Sequence, residues 1–198
     1  MSQIILLAGL CKQVPTFEQP LIGIDRGAVT AMRLGCELLA AIGDFDSISD
    51  AELLELKAYT KVIQLNTHKN ETDSEAAINY ARSLGYDEII LYGGLGGRID
   101  HELINLSLLV NQRNITLMNE RNRIRLIGFG TYHQQRDYHY LSFMPLEECV
   151  ITLKGVAYPL DHCIVHPWDT FTTSNEIIDE AEIIVHQGRL LMIECDDS

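Results

Sequence analysis

From Gln3 to Glu120 the chain repeats one pattern, a short and nearly continuous apolar run followed by a stretch with helical spacing. The runs are "QIILLAG", "PLIGID", "ELLAAIGD", "KVIQL", "DEIILYGG" and "ITLMNE". Strands that are apolar at almost every position are buried on both faces, which is the condition of a parallel sheet covered by helices. Between them, "RGAVTAMRLG" is expected to be a helix closing at Gly35, and "ETDSEAAINYARSLG" places Ala77, Tyr80, Ala81 and Leu84 on one face before Gly85. "DHELINLSLLVNQ" repeats the pattern with Leu103, Leu106 and Val110. This half is therefore expected to be an α/β domain with a mostly parallel sheet over residues 1–121.

The pattern changes at "NERNRIRLIGFG". Beyond it lie short β-like segments separated by turn residues, among them "YHYLSFMP", "CVITLKG", "AEIIVHQG" and "RLLMIEC", and no amphipathic helical pattern. Residues 122–198 are expected to form an antiparallel β-sandwich. A unit of this size is marginal alone, so it should pack on the first domain or on another subunit.

The balance of 15 Lys and Arg against 28 Asp and Glu gives a net charge of -13. Such a chain repels a nucleic-acid backbone, and a polyphosphate ligand would need an accompanying cation. No apolar run approaches the roughly 20 residues that span a bilayer, and no basic region with a cleavage site opens the chain, so a cytoplasmic protein is expected. The five cysteines are scattered without C-x-x-C spacing, which suggests neither a disulfide framework nor a zinc site.

In an open parallel sheet, ligands gather beyond the carboxyl ends of the strands. Asp25 follows "LIGI", and "GDFDSISD" (residues 43–50) follows "LLAAI". If extended, Asp44 and Asp46 project to one side as hard oxygen ligands suited to Mg²⁺, while Ser47, Ser49 or Asp50 can cap a following helix. Thr72 and Glu75 have capping-box spacing, and Asp73 between them sits in a first turn that opens on the same sheet edge. "GGLGGRIDH" (residues 93–101) is the most specific cluster. Its glycines allow backbone N–H groups to converge on an anion, Arg98 can grip phosphate oxygens, and Asp100 can cap the next helix. The spacing matches neither a P-loop nor a dinucleotide fingerprint. "FTTSNE" (residues 171–176) reads first as a turn, and His162 and His166 as surface or core histidines.

Taken together, "DRGA", "GDFDS", "ETD", "GGLGGRIDHELINL", "LKGVAYPL" and "TTSNE" resemble, in order and over nearly the whole chain, the thiamine pyrophosphokinase family. That resemblance implies an α/β domain followed by a β-sandwich, a homodimer with the site shared between subunits, and transfer of the pyrophosphoryl group of ATP to thiamine with release of AMP. It implies that Asp44, Asp46 and Asp73 hold Mg²⁺ and the polyphosphate. Asp25, Ser47, Thr72, Arg98 and Asp100 would line the nucleotide and transfer site, and Tyr158, Ser174 and Asn175 would contact thiamine. The same phosphate chemistry would serve a pyrophosphokinase for another alcohol, such as a hydroxymethylpterin, or a non-catalytic thiamine or nucleotide sensor.

Overall fold

The computed structural model describes residues 2–11, 14–66 and 70–197. The chain divides into two compact units, Met1–Asn119 and Glu120–Ser198.

In the first unit the strands are β1 (Gln3–Leu7), β2 (Leu21–Ile24), β3 (Ala40–Gly43), β4 (Val62–Gln64), β5 (Glu88–Tyr92) and β6 (Ile115–Met118). They lie in the order β4-β3-β2-β1-β5-β6, and every neighbouring pair is parallel. Helices α1 (Arg26–Arg33), α2 (Asp50–Tyr59), α3 (Asp73–Ser83) and α4 (Ile99–Asn111) occupy the crossovers. α1 packs on β1 and β2, α3 on β1, β2, β3 and β5, and α4 on β6. Ile4, Leu6, Leu7, Ile22, Ala40 and Leu91 are inaccessible to solvent, which accounts for the unbroken apolar runs. Gly35 and Gly85 follow α1 and α3 with φ of 74° and 89°, the left-handed C-terminal stop expected from the sequence. The decisive feature is the reversal of strand order at β1. The chain steps from β1 through β4 in one direction and then returns to place β5 on the other side of β1, so a crevice opens beyond the carboxyl ends of β1 and β5.

The second unit is antiparallel throughout its described pairings. β7 (Asn122–Ile127), β13 (Leu190–Cys195) and β9 (Tyr140–Pro145) form one layer in the order β7-β13-β9. β11 (Leu160–Val165), β10 (Cys149–Val156), β12 (Ile177–Gln187) and β8 (Gly130–Gln135) form the other, in the order β11-β10-β12-β8. One core joins the two layers: Phe143 and Met192 from the first meet Ile151, Val165 and Ile183 from the second. This is the expected sandwich. Among the described residues of this unit, Glu194 is the charged side chain that is buried, a carboxylate held by Arg123 and Arg125. Among the described residues, no helix is long and apolar enough to cross a membrane.

Candidate active site

The crevice at the strand-order reversal is a cleft of about 340 Å³. Ala8, Gly9 and Leu10 line it from the end of β1, Gly93 and Gly94 from the end of β5, and Asp25, Asp73, Arg98 and Glu102 supply its charge. Its position follows from the topology. Its chemistry comes from the loops.

Asp25 closes β2 and precedes α1 with φ 45° and ψ -121°, a backbone state rarely adopted by a residue with a side chain. It is pinned there from several directions. Its N–H donates to the Ile42 carbonyl at 3.0 Å, its carbonyl accepts from Ala28 at 3.0 Å, and its Oδ1 accepts from the Phe45 N–H at 3.1 Å. The carboxylate lies directly against Gly43: a Cβ at that position would stand 1.9 Å from Asp25 Oδ1. Gly43→Ala should therefore displace the carboxylate and lower kcat by about 10–100-fold, since small misplacements of reacting or binding groups have effects of that size. Wild-type kcat in this variant would refute the placement.

Among the described residues, the carboxylates of Asp25, Asp44 and Asp73 form a group whose ligand oxygens lie within 4.8 Å of one another. Burial, with Asp73 and Asp44 as like-charged neighbours, pushes the Asp25 carboxyl up from its ordinary 3.8 to about 7, against the opposing hydrogen bond from Phe45. Asp46 lies outside this group. β3 ends at Gly43 and Phe45 takes φ 60° as its ring enters the core, so residues 44–46 are not extended and the alternation expected to align Asp44 with Asp46 does not operate. Asp46 is exposed, and its N–H donates to Asp44 Oδ1 at 3.2 Å. The turn is tied down on its far side, where Arg26 donates to the Ser47 carbonyl and bonds Glu52 at 3.0 Å. Glu52 also completes a capping box with Ser49, so Ser49 starts α2 and Ser47 remains exposed. Thr72 caps α3 through the Glu75 N–H at 3.2 Å, which sets Asp73 in the first turn facing the cleft.

The glycine loop does converge on an anion, and the anion is internal. Gly96 and Gly97 N–H both donate to one oxygen of Glu102, each at 2.6 Å. No motif singles out Glu102 in the sequence, because it lies five and six residues beyond the amides it binds rather than at capping-box spacing. Arg98 occupies the N-cap position of α4 and grips Asp100 through Nε at 3.1 Å and Nη2 at 2.6 Å; Asp100 lies within the first turn and does not cap it. Both side chains are well exposed, so the pair can open towards a ligand at little cost.

This arrangement has known counterparts. The family model described as thiamin pyrophosphokinase, catalytic domain, matches residues 11–119, and that of the vitamin B1 binding domain of the same enzyme matches residues 131–190. The chain belongs to the thiamin pyrophosphokinase family. A thiamine pyrophosphokinase from Bacillus subtilis (strain 168) is 33% identical over 186 residues, covering 89% of this chain and 87% of the relative. The crystal structure of thiamine pyrophosphokinase from Bacillus subtilis superposes with a TM-score of 0.89 at 32% identity over 100% of both chains. Thiamin pyrophosphokinase from Candida albicans, at 16% identity, shares the fold with a TM-score of 0.75 over 98% of this chain and 89% of its own. As a member of this family, the chain is an enzyme that transfers the pyrophosphoryl group of ATP to thiamine, giving thiamine diphosphate.

The remaining residues expected at the site lie in the second unit. Tyr158 is 67% exposed in the turn between β10 and β11. Ser174 is exposed with φ 57°, its N–H donating to Ser142 Oγ at 2.9 Å. Asn175, in contrast, is 6% exposed.

Proposed function

We propose that ATP binds in the cleft of the first unit as its Mg²⁺ complex, with Asp25, Asp44 and Asp73 as the carboxylates that hold the ion. The donor set fits a hard divalent cation: the oxygens are clustered, and burial, with Asp73 and Asp44 beside it, pushes the Asp25 carboxyl up to about 7. When bound, the ion would neutralise charge on the polyphosphate. On the adjoining turn, exposed Ser47 is assigned to the polyphosphate and exposed Asp46 to the cation that accompanies it, and Thr72 to the nucleotide side of the cleft through the α3 N-terminus. Arg98 turns from Asp100 to the transferred group, and the Gly96 and Gly97 amides take a phosphate oxygen in place of Glu102. The thiamine hydroxyl oxygen attacks the β-phosphorus, the bond from that phosphorus to the oxygen bridging the α-phosphate breaks, AMP leaves, and the hydroxyl proton is released. Arg98 and the amides stabilise charge that builds during this exchange, and positioning supplies most of the remaining acceleration. Tyr158 and Ser174 are assigned to thiamine, in a homodimer that shares the site between subunits.

The acidic cluster carries this reading, and its titration tests it. Folding raises the Asp25 pKa, so between 3.8 and about 7 the folded chain keeps a proton that the unfolded chain has released. Without metal, stability should therefore fall as pH rises through that window. Metal binding requires the ionised carboxylate, so calorimetric titration should show Mg²⁺ affinity increasing from about pH 6 to about pH 8 with proton release. Affinity independent of pH, or unchanged by Asp44→Asn, would overturn the assignment.

A further inference from the structure

Asn175 is buried at 6% exposure, and two of its side-chain hydrogen bonds go to one residue distant in sequence, Tyr158. Its Oδ1 accepts from the Tyr158 N–H at 3.0 Å, and its Nδ2 donates to the Tyr158 carbonyl at 2.9 Å. The same Oδ1 accepts from the Glu176 N–H at 3.0 Å. A donor on one side and an acceptor on the other fix which way the amide faces, and these bonds use three of its four hydrogen-bonding positions. The Asn175 backbone is itself anchored, exchanging bonds of 3.0 Å and 2.8 Å with Leu141 on β9.

We propose that Asn175 is a positioning residue for thiamine, acting by clamping both backbone polar groups of Tyr158 and thereby aiming that ring, without touching thiamine itself. The inference rests on the assignment of Tyr158 to thiamine. Tyr158 lies in the short turn after β10, where an exposed ring has little packing to hold it, and Pro159 restricts the residue before it to extended conformations. The amide supplies the remaining constraint, linking the turn to a strand of the opposite layer. Asn is the suitable residue because aspartate would lose the donor and set a charge against the Tyr158 carbonyl.

Steady-state kinetics on Asn175→Ala, Asn175→Asp, Tyr158→Ala and the corresponding double variants test the proposal. Each Asn175 variant should raise KM for thiamine about tenfold, an effect typical of a misaimed binding group, with KM for ATP unchanged. On the Tyr158→Ala background the same Asn175 change should add nothing, because the ring it aims is gone. Full additivity would show that Asn175 contacts thiamine directly, and a parallel rise in both KM values would show a merely structural role. Either overturns the proposal. If Tyr158→Ala leaves KM for thiamine unchanged, the assignment of Tyr158 has failed and the clamp falls with it, an outcome visible in that single variant alone. Asn175→Asp keeps the acceptor towards the Tyr158 N–H and provides the reading if the alanine variant does not fold.

Discussion

Asp73→Asn is expected to lower kcat by about a thousandfold while leaving the metal-free protein as stable as wild type or more so. The two halves of that expectation separate function from helix capping. If Asp73 served only the N-terminus of α3, its charge would contribute about 0.3–1 kcal/mol to stability, and the variant would melt earlier with little loss of activity. The cluster argues for the reverse. Asp73 is one of the groups that push the neighbouring Asp25 carboxyl up to about 7, so removing its charge relieves repulsion in the absence of a cation. Asparagine keeps the shape of the side chain and leaves the Thr72 cap on α3 in place. Thermal melting without metal, run beside the thiamine diphosphate assay, distinguishes the outcomes.

Glu194→Gln should have its effect on stability. The native carboxylate, on β13, is 2% exposed and held by Arg123 through two bonds of 2.6 Å and by Arg125 at 3.1 Å. Arg123 also bonds Asp137 at 2.8 Å and lies against the Tyr138 ring, and the Glu194 hydrogen bond holds its guanidinium well above its usual range. A neutral amide leaves two guanidinium groups facing one another without their shared anion, which should reduce unfolding free energy by about 3 kcal/mol. Urea denaturation should show a lower midpoint. Replacing the acid and both arginines by apolar residues of similar size should recover much of that loss, because the desolvation of the charges is removed together with their attraction.

The unequal legibility of the chain has physical causes. β1, β2 and β3 are legible because both faces are buried and the apolar runs are unbroken, as in "IILL". β7, β8 and β11 have no distinct sequence signal, since "NRIRLI", "GTYHQQ" and "LDHCIV" each mix polar residues with few buried positions. At the site, Asp25, Asp44 and Asp73 stood out as strand-end and helix-start carboxylates, and the parallel topology brought them together. What local spacing could not reveal was the left-handed turn at Phe45, which separates Asp46 from that group, nor the backward reach of Glu102. Asn175 was legible as part of a polar motif, but its engagement with Tyr158 depends on a turn 17 residues away.

Product analysis by phosphorus NMR tests the central claim most directly, with purified protein, ATP and thiamine incubated with Mg²⁺ or with a chelator. Equal amounts of AMP and thiamine diphosphate should form with Mg²⁺ and neither with the chelator. Formation of ADP with thiamine monophosphate, or turnover indifferent to the chelator, would contradict the account.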